Sequence, residues 1–174
     1  NILGGKSLTV MPLYIAAKLE GVGHGSFVIA PGLCQACHRL AVFVQLYQGV
    51  EEQMLDLAVL VHDGEVVCRA HNMRETWQSA TAHAEVIVIE EACKKLARWR
   101  LSGCTLYVTV EPCVMCAGAI AWAQVSRIVF GASDEKRGYL RYAPDALHPK
   151  TIVEQGLLAD EASSLMKEFF KRKR

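Results

Sequence analysis

Thr105-Leu106-Tyr107-Val108-Thr109-Val110-Glu111-Pro112-Cys113-Val114-Met115-Cys116 is the stretch that decides the fold. Its first half is β-branched and aromatic, the composition of a strand. Glu111-Pro112 closes that strand and places a proline where a helix can begin. Cys113 to about Gln124, rich in Ala and Gly, reads as the helix. Two cysteines at i and i+3 share one face of its first turn, where unpaired backbone N–H groups favour thiolates, so the pair can grip one ion.

Upstream, Leu57 to Val61 reads as a buried strand, Asp63-Gly64 as a hairpin turn and Glu65 to Ala70 as the returning strand. Thr81 is placed to cap a helix running to about Arg98, with Val86, Ile89, Cys93 and Leu96 at helical spacing, and Ser102-Gly103 ends that unit. Downstream, Arg127 to Phe130 predicts a fourth strand and Thr151 to Glu154 a short fifth. Ala162, Leu165, Met166, Phe169 and Phe170 form the apolar stripe of a final helix. The order predicts a three-layer α/β/α fold, a mixed sheet of about five strands between helices. A weak helical pattern over 38–53 precedes it. Residues 1–36, with scattered glycines and no sustained period, are read as an unassigned extension, and 37–174 as one domain.

The chain has 174 residues, 52% hydrophobic and 21% charged, which fits a globular domain and neither a disordered nor a membrane protein. Formal charge is +1, from 19 basic and 18 acidic residues, so any contact with nucleic acid must rest on a local cluster. The dense one is Lys171-Arg172-Lys173-Arg174, which equally reads as a solvated tail favourable to the helix C-terminus. Seven cysteines, an odd number, fit metal thiolates in a reducing compartment, and the cytoplasm is the expected setting. The apolar run Leu8 to Ala17 holds Pro12 and is followed by Lys18-Leu19-Glu20, a poor cleavage site for a signal peptide. No apolar stretch reaches the ~20 residues of a membrane span.

His83-Ala84-Glu85 completes the site. His83 and Glu85 would diverge in mid-helix but at a helix start can both reach a point beyond its end, so the metal is expected between two helix N-termini. Combined with Pro112-Cys113-Val114-Met115-Cys116, this is the H-x-E…P-C-x-x-C signature of zinc nucleobase deaminases. His83, Cys113 and Cys116 would be the ligands of one zinc per chain, leaving a fourth position for water, with Glu85 as proton carrier. The alternative is a structural zinc closed by Cys104, His148 or Cys93. Cys104 starts its strand and lies roughly 23 Å from Glu111 at ~3.3 Å per residue, at the wrong end.

Over about residues 56 to 172 the chain resembles the tRNA-specific adenosine deaminases of the cytidine deaminase-like superfamily. The likeness is carried by Asp63-Gly64-Glu65, Ala70-His71-Asn72, Thr81-Ala82-His83-Ala84-Glu85, the run from Trp99 to Ala119, and Phe130-Gly131-Ala132-Ser133-Asp134. The resemblance implies hydrolytic conversion of the wobble adenosine to inosine in a tRNA anticodon stem-loop by a homodimer. It implies that Asn72 holds the flipped nucleoside, that backbone N–H groups of Ala84 and Cys113 line the attacked centre, and that Asp134 approaches the neighbouring nucleotide. Asn72 could instead serve the turn after its strand and Asp134 cap a loop. Leu55-Asp56-Leu57-Ala58 departs from the Pro-Val-Gly-Ala-like entry of the family beside the base pocket.

Other readings compete. A guanine-type free-base deaminase shares the metal motif, and a catalytically inactive zinc- and RNA-binding subunit would need no Glu85. Cys34-Gln35-Ala36-Cys37-His38 matches a haem-attachment pattern with nothing else to support it, and could equally be a second zinc pair or inert core.

Overall fold

In the computed structural model, which describes residues 57–157 and 159–172, Leu57–His62 (β1) and Glu65–His71 (β2) form the expected hairpin. Asp63 and Gly64 both take positive φ at its turn, as a two-residue connection between twisted strands requires. Then follow Arg74–Trp77 (α1), Ala84–Lys95 (α2), Cys104–Val110 (β3), Val114–Trp122 (α3), Arg127–Ala132 (β4), Tyr139–Tyr142 (α4), Ile152–Gln155 (β5) and Ala159–Arg172 (α5). The expected boundary at 36/37, the helix over 38–53, Cys34, Cys37 and His38, and Leu55 and Asp56 lie outside the described residues.

The five strands are ordered β2-β1-β3-β4-β5. β1 runs antiparallel to both neighbours, whereas β3, β4 and β5 run parallel. It follows that β2, β3 and β4 all point the same way, so their C-terminal ends share one edge of the sheet.

Alternation along the strands separates two faces. Ala58, Leu60, Leu106, Val108, Ile128 and Phe130 pack with Val88, Ala92, Ala117 and Ile120 of α2 and α3 in one continuous core. Their neighbours Val59, Tyr107 and Val129 are buried on the opposite face. There Gly131 permits the close approach of α5, since a Cβ at this position would lie 2.7 Å from Thr109 O and 3.2 Å from Ala162 Cβ. This is the expected mixed sheet with helices on both sides. Ala162 of the predicted α5 stripe is buried; the side chains of Leu165, Phe169 and Phe170 lie outside the described residues. No helix among the described residues is long and apolar enough to cross a membrane.

Three local expectations are corrected. Thr81 does not cap α2: His83 holds the N-cap position and makes no side-chain capping bond, because its ring faces two sulfurs instead. Pro112 lies ahead of the α3 N-cap, Cys113, and not in the first turn; its carbonyl accepts the Tyr139 N–H. Finally, α2 stops at Lys95 instead of about Arg98, and α3 at Trp122 instead of about Gln124. Ala97 and Gln124 adopt left-handed φ, and paired bonds close each helix: Ala97 N–H to Lys94 O with Arg98 N–H to Cys93 O, and Gln124 N–H to Ala121 O with Val125 N–H to Ile120 O. Both are Schellman closures made without glycine.

Candidate active site

The shared edge gathers the expected residues. Asn72 follows β2, Cys113 follows β3 and Asp134 follows β4. The Met73 N–H donates to Ala82 O at 2.9 Å, which folds the connection between β2 and α2 back on itself and brings His83 to the same edge. Open α/β sheets bind ligands at such C-terminal ends, where the strand order switches.

His83, Cys113 and Cys116 come together at two helix starts, the histidine at the N-cap of α2, the cysteines at the N-cap and third residue of α3. The His83 ring presents Nδ1, 3.5 Å from Cys116 Sγ and 3.8 Å from Cys113 Sγ, and the sulfurs are 3.6 Å apart. Among the described residues this cluster holds three metal-ligating side chains. The candidates for a fourth are engaged elsewhere. Cys104 is buried at the far end of β3, Cys93 Sγ donates to Trp99 O, and His148 Nδ1 accepts the Lys150 N–H.

The two thiols divide their protons unequally. Cys113 is lowered to about 5, chiefly by the hydrogen bond it shares with Cys116, with backbone N–H groups of Cys116 and Met115 and the nearby His83 adding to the effect against the cost of burial. Cys116 is pushed up, first by that same bond and then by burial and by the Glu85 carboxylate, which lies within reach of its thiol. Glu85 thus sits half-buried beside the donor set, one residue into α2. Ala84 between them is buried, and its backbone N–H is among the first four of the helix, which have no intrahelical acceptor.

Asn72 and Asp134 both make the local bonds of turn residues. Asn72 Oδ1 accepts the Arg74 N–H at 3.1 Å, bracing the start of α1. Asp134 Oδ1 accepts from Lys136 and Arg137 at 2.9 and 3.0 Å, and its carbonyl accepts the Gly138 N–H. Both stand at the site edge, and each spends an oxygen on its own loop. The tail lies elsewhere in sequence; Lys171 is exposed at the end of α5, whereas Lys173 and Arg174 lie outside the described residues.

The sequence reading missed Glu111, assigned only to a turn. It is 7% exposed and accepts the Asp134 N–H at Oε2 and the Leu140 N–H at Oε1, both at 3.0 Å. Tyr139, buried beside it, has its phenol pKa raised by burial and by the Glu111 charge. The available signal was an acidic residue ending an apolar strand, with a glycine and an aromatic, Gly138-Tyr139, shortly after the next strand.

A family model described as MafB19-like deaminase matches residues 35–174. The tRNA-specific adenosine deaminase of Bacillus subtilis (strain 168) is similar at 48% identity over 122 residues, covering 67% of this chain and 76% of that protein. A solved structure from studies of A-to-I editing by tRNA:A34 deaminases is similar with a TM-score of 0.59 and 40% identity, covering 63% of this chain and 83% of that one. A guanine deaminase from Nitrosomonas europaea, at 21% identity, TM-score 0.64, and covering 97% of this chain and 98% of that one, shows the shared fold alone. The chain therefore belongs to the MafB19-like deaminase family and is a relative of the tRNA-specific adenosine deaminases.

Proposed function

We propose that this protein hydrolytically deaminates adenosine to inosine at the wobble position of tRNA, using one zinc per chain. The observation that carries the reading is the His83, Cys113 and Cys116 donor set with Glu85 beside it, in a chain 48% identical to a tRNA-specific adenosine deaminase. The donor set suits the metal. Zn–S of about 2.3 Å and Zn–N of about 2.0–2.1 Å in a tetrahedron separate donors by about 3.6–3.8 Å, and the three separations are 3.5, 3.6 and 3.8 Å. When bound, zinc supplies Lewis-acid chemistry, lowering the pKa of a water toward about 7.

The chain's own residues do the rest. Glu85 takes a proton from the attacking water and delivers it to the ring nitrogen beside C6 of the base, where the oxygen adds. It then carries the second proton to the departing amine, so that adenosine and water give inosine and ammonia. The backbone N–H groups of Ala84 and Cys113 line the attacked centre. Asn72 holds the extruded base, and its turn bond to Arg74 fixes the side chain for that contact. Asp134 meets the neighbouring nucleotide. Phosphates meet positive charge at Lys171, Arg172, Lys173 and Arg174.

A homodimer belongs to the same reading. Val114, Met115 and Trp122 line one exposed side of α3, Trp122 at 82% exposure, and Leu140 and Tyr142 of adjoining α4 are also exposed. A second copy of the chain would cover them. A cytoplasmic setting, where tRNA is met, is part of the proposal.

The test is incubation with an anticodon stem-loop RNA carrying adenosine at the wobble position, alongside free adenosine, guanine and cytidine, with mass spectrometry of products. Inosine in the RNA is the expected result. Xanthine from guanine with an unchanged RNA would refute the reading.

A further inference from the structure

We infer that Glu111 is a positioning residue that sets the enzyme's grip on its polynucleotide substrate by clamping both ends of the 134–140 loop to the metal-binding turn. The inference rests on the functional reading above.

Glu111 lies two residues before Cys113, at the end of β3. Its two carboxylate oxygens are divided between the loop's ends, Oε2 on the Asp134 N–H and Oε1 on the Leu140 N–H. A carboxylate buried to this degree is costly unless each oxygen is met by a donor, and backbone N–H groups supply both. The corner packs so closely that position 138 has no room for a side chain: a Cβ at Gly138 would fall on Glu111 Oε1 and within 2.6 Å of Asp134 O. An antiparallel main-chain bridge between Cys113 and Gly138 completes the seam, with the Tyr139 N–H donating to Pro112 O at 2.9 Å.

Between its clamped ends the loop is braced internally by Asp134 and presents exposed Lys136 and Arg137. Beyond Leu140, Arg141 Nη1 donates to Glu135 O and Tyr142 Oη to Lys136 O, tying α4 to the same loop. The loop is thus tied together as one piece, and Glu111 fixes where that piece stands relative to Cys113. Glu111 directs its two carboxylate hydrogen bonds to the loop. Its loss should loosen the surface that meets flanking nucleotides and leave the chemistry intact.

The experiment compares the zinc-loaded full chain with Glu111→Gln, which keeps the shape but turns one oxygen into a donor facing a donor, and Glu111→Asp, which is too short to reach both ends. Zinc content, steady-state deamination of the stem-loop RNA and hydrogen exchange at the Asp134 and Leu140 amides are measured. Both variants should keep one zinc, raise KM roughly tenfold with kcat within about threefold, and exchange those two amides faster. An unchanged KM, a fall in kcat alone, amides that stay protected, or loss of zinc or of the fold in both variants would overturn the inference. Wild-type protein that leaves the stem-loop untouched would instead overturn the functional reading, and this inference with it.

Discussion

Five cysteines among the described residues are unpaired, and the two ends of β3 treat them in opposite ways. At its C-terminal end, Cys113 meets a helix start, a second thiol and His83, and its pKa falls to about 5. Cys104 at the N-terminal end is raised by burial, although the hydrogen bond from Arg98 and its charge work the other way. Cys68 of β2, under α2 with its thiol donating to Val88 O, rises to about 11, again through burial. The same side chain becomes a ready thiolate or an inert apolar group according to whether unpaired N–H groups or packed carbon surrounds it. One edge of the sheet is built for chemistry and the other for closure. Arg98 bridges His62, Ser102 and Cys104 at the latter.

The contrast should be broken most severely at Glu85, the carboxylate beside the donor set that is proposed to move protons. Glu85→Gln should keep zinc and fold, yet lower kcat by about 10²–10⁴. Single-turnover assays with zinc analysis check this; activity near normal would remove Glu85 from the mechanism.

Thiol alkylation sharpens the comparison directly. In metal-stripped protein at pH 7, Cys113, lowered to about 5, is mostly thiolate, whereas Cys68, raised to about 11, is almost wholly protonated. Iodoacetamide should label Cys113 at least about 100-fold faster, as peptide mass spectrometry will read, and bound zinc should protect it. The sign for stability runs the other way at Cys68. Its folded pKa is raised, so its contribution is intact below about pH 9 and is lost between about pH 9 and 11 as the unfolded chain ionises first. Because Cys93, Cys104, Cys116 and Tyr139 are raised as well, the denaturation midpoint should fall across that window in both proteins, and less steeply in Cys68→Ala than in wild type.

A milder change tests the closing edge. Cys104→Ser exchanges a buried thiol for a hydroxyl whose polar neighbour is Arg98 and should cost about 1 kcal/mol of stability with zinc content unchanged. Loss of zinc in that variant would mean the two ends of β3 are not independent.

Which of these features could be read in the sequence follows from how local their causes are. The strands, the hairpin at Asp63-Gly64 and the His83, Glu85, Cys113 and Cys116 constellation were legible, because period-two apolar patterns and motif spacing act over a few residues. The helix ends were not. They close on Ala97 and Gln124, where no glycine announces a left-handed residue and only tertiary packing holds it. Thr81 was misread because a histidine turned toward two sulfurs occupies the cap position that propensity assigns to a hydroxyl. Glu111 escaped notice because both its partners lie beyond β4, 23 and 29 residues away, and the acidic strand end and the later Gly138-Tyr139 do not by themselves pair the two segments.

The smallest expected effect separates two basic regions, the tail after α5 and the loop after β4. With formal charge +1, the chain has no global attraction for RNA, so phosphate contacts must be made by particular groups, and each contact releases counterions. Replacing Lys171, Arg172, Lys173 and Arg174 by alanine should flatten log Kd against log salt by up to ~0.7–0.9 per lost contact. Lys136 and Arg137, exposed beside Asp134 at the reactive edge, provide the comparison. Their double replacement should flatten the slope by at most two such contacts. It should also raise KM, because the loop that carries them adjoins the turn that carries Cys113. The tail variant should weaken binding without that focus on the site, leaving kcat and zinc content at wild-type values. A slope unmoved by the tail but flattened by the loop would transfer the phosphate contacts to the reactive edge, making it the place where both the base and its backbone are held.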